Sequence, residues 1–341
     1  LDAIRTDLGL PDGSRLRAEL HSMLVYEPGQ FFASHQDSEK HDTMIATLVV
    51  LLPSRSTGGD LVIEHRSESV RYSGSATSLV FVAFYADTRH EALPVQSGYR
   101  VALTYNLLLT AGAVTRAPAG PVDEVAAQLG RHFTHTPPPR WRGDHSAVEP
   151  PDRLVVLLDH QYSERGLRWS QLKGDDADRA EVVRRAAELA GFDVALAQAE
   201  VHETRACYDD APPRRRRRGW DHDDEPEGDL EVGDLLDVTV TITPAAGGLA
   251  RVTSVADEFE IAEVTPTADL APYDSEYTGF MGNWGNTIDR WYRRAAIVIW
   301  PRSRAFAIRA KSDPAGALDE LVTEWTTGGP AQEAMREQVN A

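Results

Sequence analysis

The chain has 341 residues, 42% of them hydrophobic, which is long for one domain and enough to fill two cores. A formal net charge of −18 and a pI near 5.0 create a field that repels phosphates, so no binding to nucleic acid or to an anionic membrane surface is expected. One cysteine, Cys207, excludes an internal disulfide framework and points to a reducing, cytoplasmic setting, and no apolar run approaches the roughly 20 residues of a bilayer span.

The opening LDAIRTDLGLPDGSRLRAEL is charged and broken by Pro11-Asp12-Gly13, unlike a signal peptide. Met23-Leu24-Val25-Tyr26 then leads through a Glu27-Pro28-Gly29 turn to Phe31-Phe32 and His35-Gln36-Asp37. Thr43 to Leu52 is a continuous apolar run stopped by Pro53, the pattern of a strand buried on both faces. Leu61–Glu64, Val70–Tyr72, Thr77–Phe84 and Tyr99–Leu109 follow as further strands separated by Gly- and Ser-bearing turns. Short strands at this spacing predict an antiparallel sandwich or barrel over residues 1–110.

Residues 111–150 read as a Pro-rich linker with one helix over Val122–Phe133, which Pro137-Pro138-Pro139 cannot continue. A second, α+β region is expected over 151–341. Its predicted elements are a strand at Leu154–Leu158, an amphipathic helix over Asp176–Ala190 ended by Gly191, and strands at Asp193–Thr204, Leu235–Thr243, Phe259–Val264 and Ala295–Trp300. Tyr208–Gly233, holding Arg214 to Arg218 beside an acidic stretch, reads as a solvated surface loop.

The chemistry-bearing pattern is His35-x-Asp37, then His90, then Arg100. In extended backbone, residues two apart project to one side, so His35 and Asp37 can face a single point, and His90 stands at the end of a candidate strand. Two imidazoles and one carboxylate suit non-haem Fe(II), leaving three adjacent positions for a bidentate ligand and dioxygen. The guanidinium of Arg100 could pair in bidentate fashion with a distal carboxylate, with Ala102 and Thr104 on its face of the strand and Tyr26 donating a hydroxyl to the same carboxylate. The motif alone is weak, because 11 histidines make about one chance His-x-Asp expected, and His222-Asp223-Asp224 is a second copy inside a polar run. Only the first copy has strands on both sides and a histidine and an arginine downstream.

YEPGQFFASHQD, TLVVLLP, TGGDL and RHEALPVQSGYRVALTYN together resemble the prolyl 4-hydroxylase-like group of Fe(II)- and 2-oxoglutarate-dependent dioxygenases over about Leu20 to Leu109. The resemblance implies a mainly β fold, a double-stranded β-helix (a cupin-like jelly roll), with His35, Asp37 and His90 as catalytic Fe(II) ligands. It also implies that Arg100 and Tyr26 bind the 2-oxoglutarate C5 carboxylate. Asp37, where halogenating relatives carry Gly or Ala, argues for hydroxylation; Tyr105, where many members have Trp, is a minor departure. The implied cofactors are Fe(II), 2-oxoglutarate and O2, with ascorbate as an accessory reductant.

The implied reaction is hydroxylation of a C–H bond in a prolyl or other residue of a protein or peptide, with release of succinate and CO2. The same chemistry on a small molecule and a catalytically silent cupin-like binding module are the alternatives. Residues 151–341 are expected to select substrate or to form a degenerate second double-stranded β-helix. Other histidines carry ordinary readings: His41 and His65 as surface or structural groups, His132-x-x-His135 as a helix end. The Tyr277–Asn286 segment, with three glycines among aromatics, reads first as a structural turn and second as a loop near the catalytic mouth.

Overall fold

In the computed structural model the apolar run at Thr43–Leu52 becomes a strand over Met44–Leu51, and all of its residues are buried. The structure describes residues 1–10, 13–37, 43–65, 68–111, 120–137, 149–208, 231–245, 253–256, 260–262, 267, 270–279 and 286–327.

The first half is antiparallel throughout. Strands β1 (Arg15–Tyr26), β3 (Met44–Leu51), β7 (Val80–Tyr85) and β10 (Arg100–Ala111) form one sheet in the order β1-β10-β3-β7. Strands β2 (Phe32–His35), β5 (Leu61–His65), β6 (Glu68–Tyr72) and β8 (Arg89–Ala92) form a second, ordered β2-β8-β5-β6, while β4 (Ser56–Gly58) pairs with β9 (Val95–Gly98). The full burial of β3 follows from its place inside the first sheet. One face meets Leu8, Leu10 and Leu107, just after the short helix α1 (Asp2–Asp7) and on β10. Across its other face, Val49 and Leu51 meet Leu61 of the second sheet together with Val82, Phe84 and Ala102. Two facing antiparallel sheets with these crossovers are the double-stranded β-helix expected here.

The second half is α+β. Helix α2 (Val122–Thr134) is followed by β11 (Leu154–Leu157), helix α3 (Gly174–Ala190), β12 (Phe192–Tyr208), β13 (Glu231–Pro244), β14 (Ser254–Ala256), β15 (Asp274–Thr278) and β16 (Thr287–Pro301). The strands make one antiparallel sheet ordered β11-β16-β12-β13-β14, with β15 on β16. Ala126, Leu129 and Phe133 share one stripe of α2 and pack with Val183 and Ala187 of α3 over Leu196, Ile297 and Ile299. Gly191 closes α3 in the left-handed conformation, φ 78°, as its place after the apolar stripe predicts. The opposite sheet face buries Val155, Val201, Val240 and Trp300 under Ile308 of α4 (Ala305–Ser312), which leads into α5 (Pro314–Thr327).

Of the strand expected at Phe259–Val264, Phe259, Glu263 and Val264 lie outside the described residues. Ile261 makes only an isolated bridge to Val155, and the strand in this stretch is β14 instead. Nearby, the Arg153 guanidinium donates to Glu260 (2.8 Å), to Ser254 Oγ (2.8 Å) and to the Val255 carbonyl (2.7 Å). No helix among the described residues is long and apolar enough to cross a membrane.

Candidate metal centre

His35 ends β2 and His90 lies in β8, and the two are directly paired across the ladder. That pairing brings their rings to 4.2 Å between centroids. Asp37 follows β2 by two residues, with Oδ1 3.7 Å from His35 Nε2 and Oδ2 3.9 Å from His90 Nε2. The ligand atoms of the three residues lie within 4.8 Å of one another. Each imidazole is turned by its other nitrogen: His35 Nδ1 donates to the Ala33 carbonyl at 2.9 Å and His90 Nδ1 to the Thr88 carbonyl at 3.1 Å. This tautomer leaves both Nε2 lone pairs facing the carboxylate, the arrangement a metal requires. Burial lowers the His90 pKa, with the Thr88 carbonyl and Asp37 opposing, a shift toward the neutral ring that a metal ligand requires. Thr47 Oγ1 donates to Asp37 Oδ2 at 2.5 Å and fixes the carboxylate. The donor set fits a divalent ion of the Fe(II) type.

Arg100 is directly opposite Tyr26 in the β1–β10 ladder and is 5% exposed. Its guanidinium carbon sits 5.0 Å from the Tyr26 ring centroid, and its buried Nε has no hydrogen-bond partner. Burial depresses the Arg100 pKa, while Tyr26 and Asp60 support the charge. Burial likewise raises the Tyr26 pKa against the pull of Arg100, so the phenol stays protonated and able to donate. Gly59, at φ +71°, lets the backbone pass beside this arginine; a Cβ there would lie 2.9 Å from Arg100 Cδ and from Val95 Cγ2. A buried cation with an unmet donor, beside a protonated phenol, is suited to an anionic ligand.

All five residues line one cavity of about 250 Å³ between the two sheets. Alternation along β10 sends Arg100, Ala102, Thr104 and Asn106 into it. Sequence reasoning named the first three of these and missed Asn106, Thr47 on β3 and Ser22 on β1, whose hydroxyl lies 2.7 Å from that of Thr104. Period two along β10 could have found Asn106; the other two depend on register between strands distant in sequence.

The remaining motifs lie elsewhere. His65 stacks on His160 at 5.0 Å, and His132 approaches the Arg153 carbonyl at 3.4 Å near the C-terminal end of α2, with His135 as its cap. In the glycine-rich segment, Tyr277 donates to Asn286 Oδ1 at 2.8 Å, and neither residue lines the cavity. Residues 280–285, His41, Arg214 to Arg218 and the His222-Asp223-Asp224 copy fall outside the described residues.

Two histidines and an aspartate converging beside a buried arginine in a jelly roll form a candidate mononuclear metal centre. Residues 21–108, which contain all five site residues, match the family model of the 2OG-Fe(II) oxygenase superfamily, a family whose cofactors are Fe(II) and 2-oxoglutarate. Among solved structures, the chain is similar to an oxidoreductase of the 2OG-Fe(II) oxygenase family from Burkholderia pseudomallei (21% identity over 28% of this chain and 44% of that one, TM-score 0.23). It is also similar to a Pseudomonas putida prolyl-4-hydroxylase (23% identity, 31% and 59% covered, TM-score 0.23). A third is a Trichoplax adhaerens prolyl hydroxylase in complex with a hypoxia inducible factor peptide fragment (18% identity, 27% and 46% covered, TM-score 0.22). The chain thus spans about half the length of these relatives. No curated protein matches it significantly.

Proposed function

We propose that this protein is an Fe(II)- and 2-oxoglutarate-dependent hydroxylase acting on a C–H bond of a prolyl or other residue in a protein or peptide, with release of succinate and CO2. The observation that carries the reading is the convergence of His35, Asp37 and His90 with Arg100 in one cavity. In this reading His35 and His90 ligate iron through Nε2 and Asp37 through its carboxylate, and Arg100 and Tyr26 bind the far carboxylate of 2-oxoglutarate. The bound metal and co-substrate supply the oxidising chemistry. The chain's share is to hold the three ligands on one side, to neutralise the co-substrate's charge at Arg100, and to keep water from the reacting carbon between two sheets.

A peptide is favoured over a metabolite by the surroundings of the cavity. Its lining residues all fall between His21 and Asn106, and no described residue of the C-terminal half lines it. Beside it an open groove of about 450 Å³, lined by Leu24, Val25, Gln30, Phe31 and Phe32, shares Leu24, Tyr26 and Phe32 with the cavity. A groove of that kind accommodates an extended chain with one side chain directed inward. We further propose the division into a catalytic unit at 1–110, a linker at 111–150 and a substrate-selecting unit at 151–341, and a cytoplasmic location in keeping with the lone, buried thiol of Cys207.

The test is succinate formation from 2-oxoglutarate with Fe(II) and O2, with proline-containing peptides and small molecules as separate substrate pools. We expect turnover that stops on omission of iron and in His35→Ala. Turnover indifferent to His35→Ala overturns the assignment, and coupling only to small molecules overturns the peptide reading.

A further inference from the structure

The three-residue turn Ala86-Asp87-Thr88, between β7 and β8, touches both the second half of the chain and the metal-binding strands. The Asp87 side chain is 8% exposed, and its carboxylate accepts hydrogen bonds from Lys173 Nζ, His160 Nδ1 and the Gln161 amide, each at 3.0 Å. Lys173 is itself 1% exposed. The His160 ring lies against Tyr85 (4.6 Å) and His65 (5.0 Å) of the jelly roll, and the Gly174 amide donates to Tyr85 Oη at 2.8 Å. On the far side, Asp176 accepts the amides of Asp159 (2.8 Å) and His160 (2.9 Å), holding these donors in place.

The backbone of the same turn faces the other way. The Asp87 carbonyl accepts from Gln36 Nε2 at 2.6 Å, and Gln36 stands between His35 and Asp37. The Thr88 carbonyl accepts from His90 Nδ1 at 3.1 Å. Burying a carboxylate and an ammonium together contributes little net stability, since the desolvation cost offsets the attraction, so the physical gain from such a pair is fixed geometry. Here the fixed element is the turn whose carbonyls orient the metal-binding strands.

We propose that Asp87, clamped by Lys173 and His160, is a positioning residue for the metal ligands, through which the C-terminal half sets the geometry of the iron site. The inference rests on the iron reading above, and its test separates the two. Co(II) serves as the probe on the full chain, because its d–d absorption reports ligand geometry whether or not turnover occurs. The doubly substituted Asp87→Asn/Lys173→Met chain removes both charges together and so leaves neither stranded.

We expect this variant to fold, to bind Co(II) about tenfold more weakly, and to show shifted d–d bands, which a purely structural contact would leave in place. Wild-type affinity with wild-type bands overturns the proposal. Should the double variant fail to fold, Gln36→Met carries the test, since it cuts one link and leaves the ion pair intact. It is expected to weaken Co(II) about threefold with a band shift, and unchanged binding overturns the proposal. His35→Ala is the control: if it leaves Co(II) binding intact, the iron reading fails, whatever the Asp87 result.

Discussion

Arg100 gives the sharpest test of whether the cavity is a built anion site or merely the interior of a barrel. In the free protein it is 5% exposed with Nε unsatisfied, and an unmet buried donor costs about 1–3 kcal/mol. Replacement by Met, of similar reach but uncharged, relieves that cost. Tyr26 meanwhile loses its guanidinium neighbour at 5.0 Å, a loss of about 0.5–1.5 kcal/mol. The free Arg100→Met protein should therefore range from about 0.5 kcal/mol less stable than wild type to about 2.5 kcal/mol more stable. With ligand the order reverses. At 100 times its dissociation constant, 2-oxoglutarate stabilises a protein that binds it by about 2.7 kcal/mol. Losing a buried charge-assisted pair costs about 2–5 kcal/mol of affinity, so Arg100→Met should keep at most about 0.9 kcal/mol of that stabilisation at the same concentration.

Arg100→Lys keeps the charge but not the planar fork and should fall between, about 10- to 100-fold weaker than wild type. Thermal melts with Co(II) present and 2-oxoglutarate added or withheld read both effects, at roughly 2 °C per kcal/mol for a chain of this size. The expected pattern is a nearly unchanged or raised midpoint for free Arg100→Met together with the loss of most or all of the ligand-induced rise. A variant that is several kcal/mol less stable when free, yet still stabilised by 2-oxoglutarate, would falsify the reasoning and make Arg100 a strut of the sheet.

Two further outcomes follow from the same geometry. Thr47→Val deletes the 2.5 Å donor to Asp37 Oδ2 with almost no change of shape, so isothermal titration should show Co(II) binding weakened about tenfold; an unchanged constant would mean that Thr47 does not hold the carboxylate. Asp87 makes stability pH-dependent: although burial alone would raise its pKa, Lys173 and His160 hold it well below its ordinary 3.8. A carboxyl lowered in the folded state contributes stability that is fully present above the unfolded value and is lost as pH falls beneath it. Wild-type urea midpoints should thus drop more steeply below about pH 4 than those of Asp87→Asn/Lys173→Met, and parallel curves would contradict the pairing.

How much of this was legible in the sequence depended on whether a feature is local or requires two distant segments to meet. The β3 run, the α2 and α3 stripes and the Gly191 cap were readable because burial on both faces, a 3.6-residue period and a left-handed terminus each leave a mark within a few residues. His35 and Asp37 were readable for the same reason, through the two-residue period. The contact between Arg153 and Glu260, 107 residues apart, has the opposite character, since no local pattern records it.

The site divides along the same line. His90, Arg100 and Tyr26 could be named only through their order relative to His35, and their convergence depends on two ladder pairings, His35 with His90 and Tyr26 with Arg100. Thr47 and Ser22 carry no such order and look like ordinary strand residues until β3 and β1 are in register with β10. Asp87 and Lys173 are the extreme case, 86 residues apart and in different halves, where nothing near either residue marks it as one half of a buried pair. A charged residue becomes informative only when the fold denies it water. The two buried cations discussed here differ in that respect: Lys173 has found its carboxylate within the chain, whereas Arg100 has a buried donor still unmet, and it is the unmet one that faces the cavity.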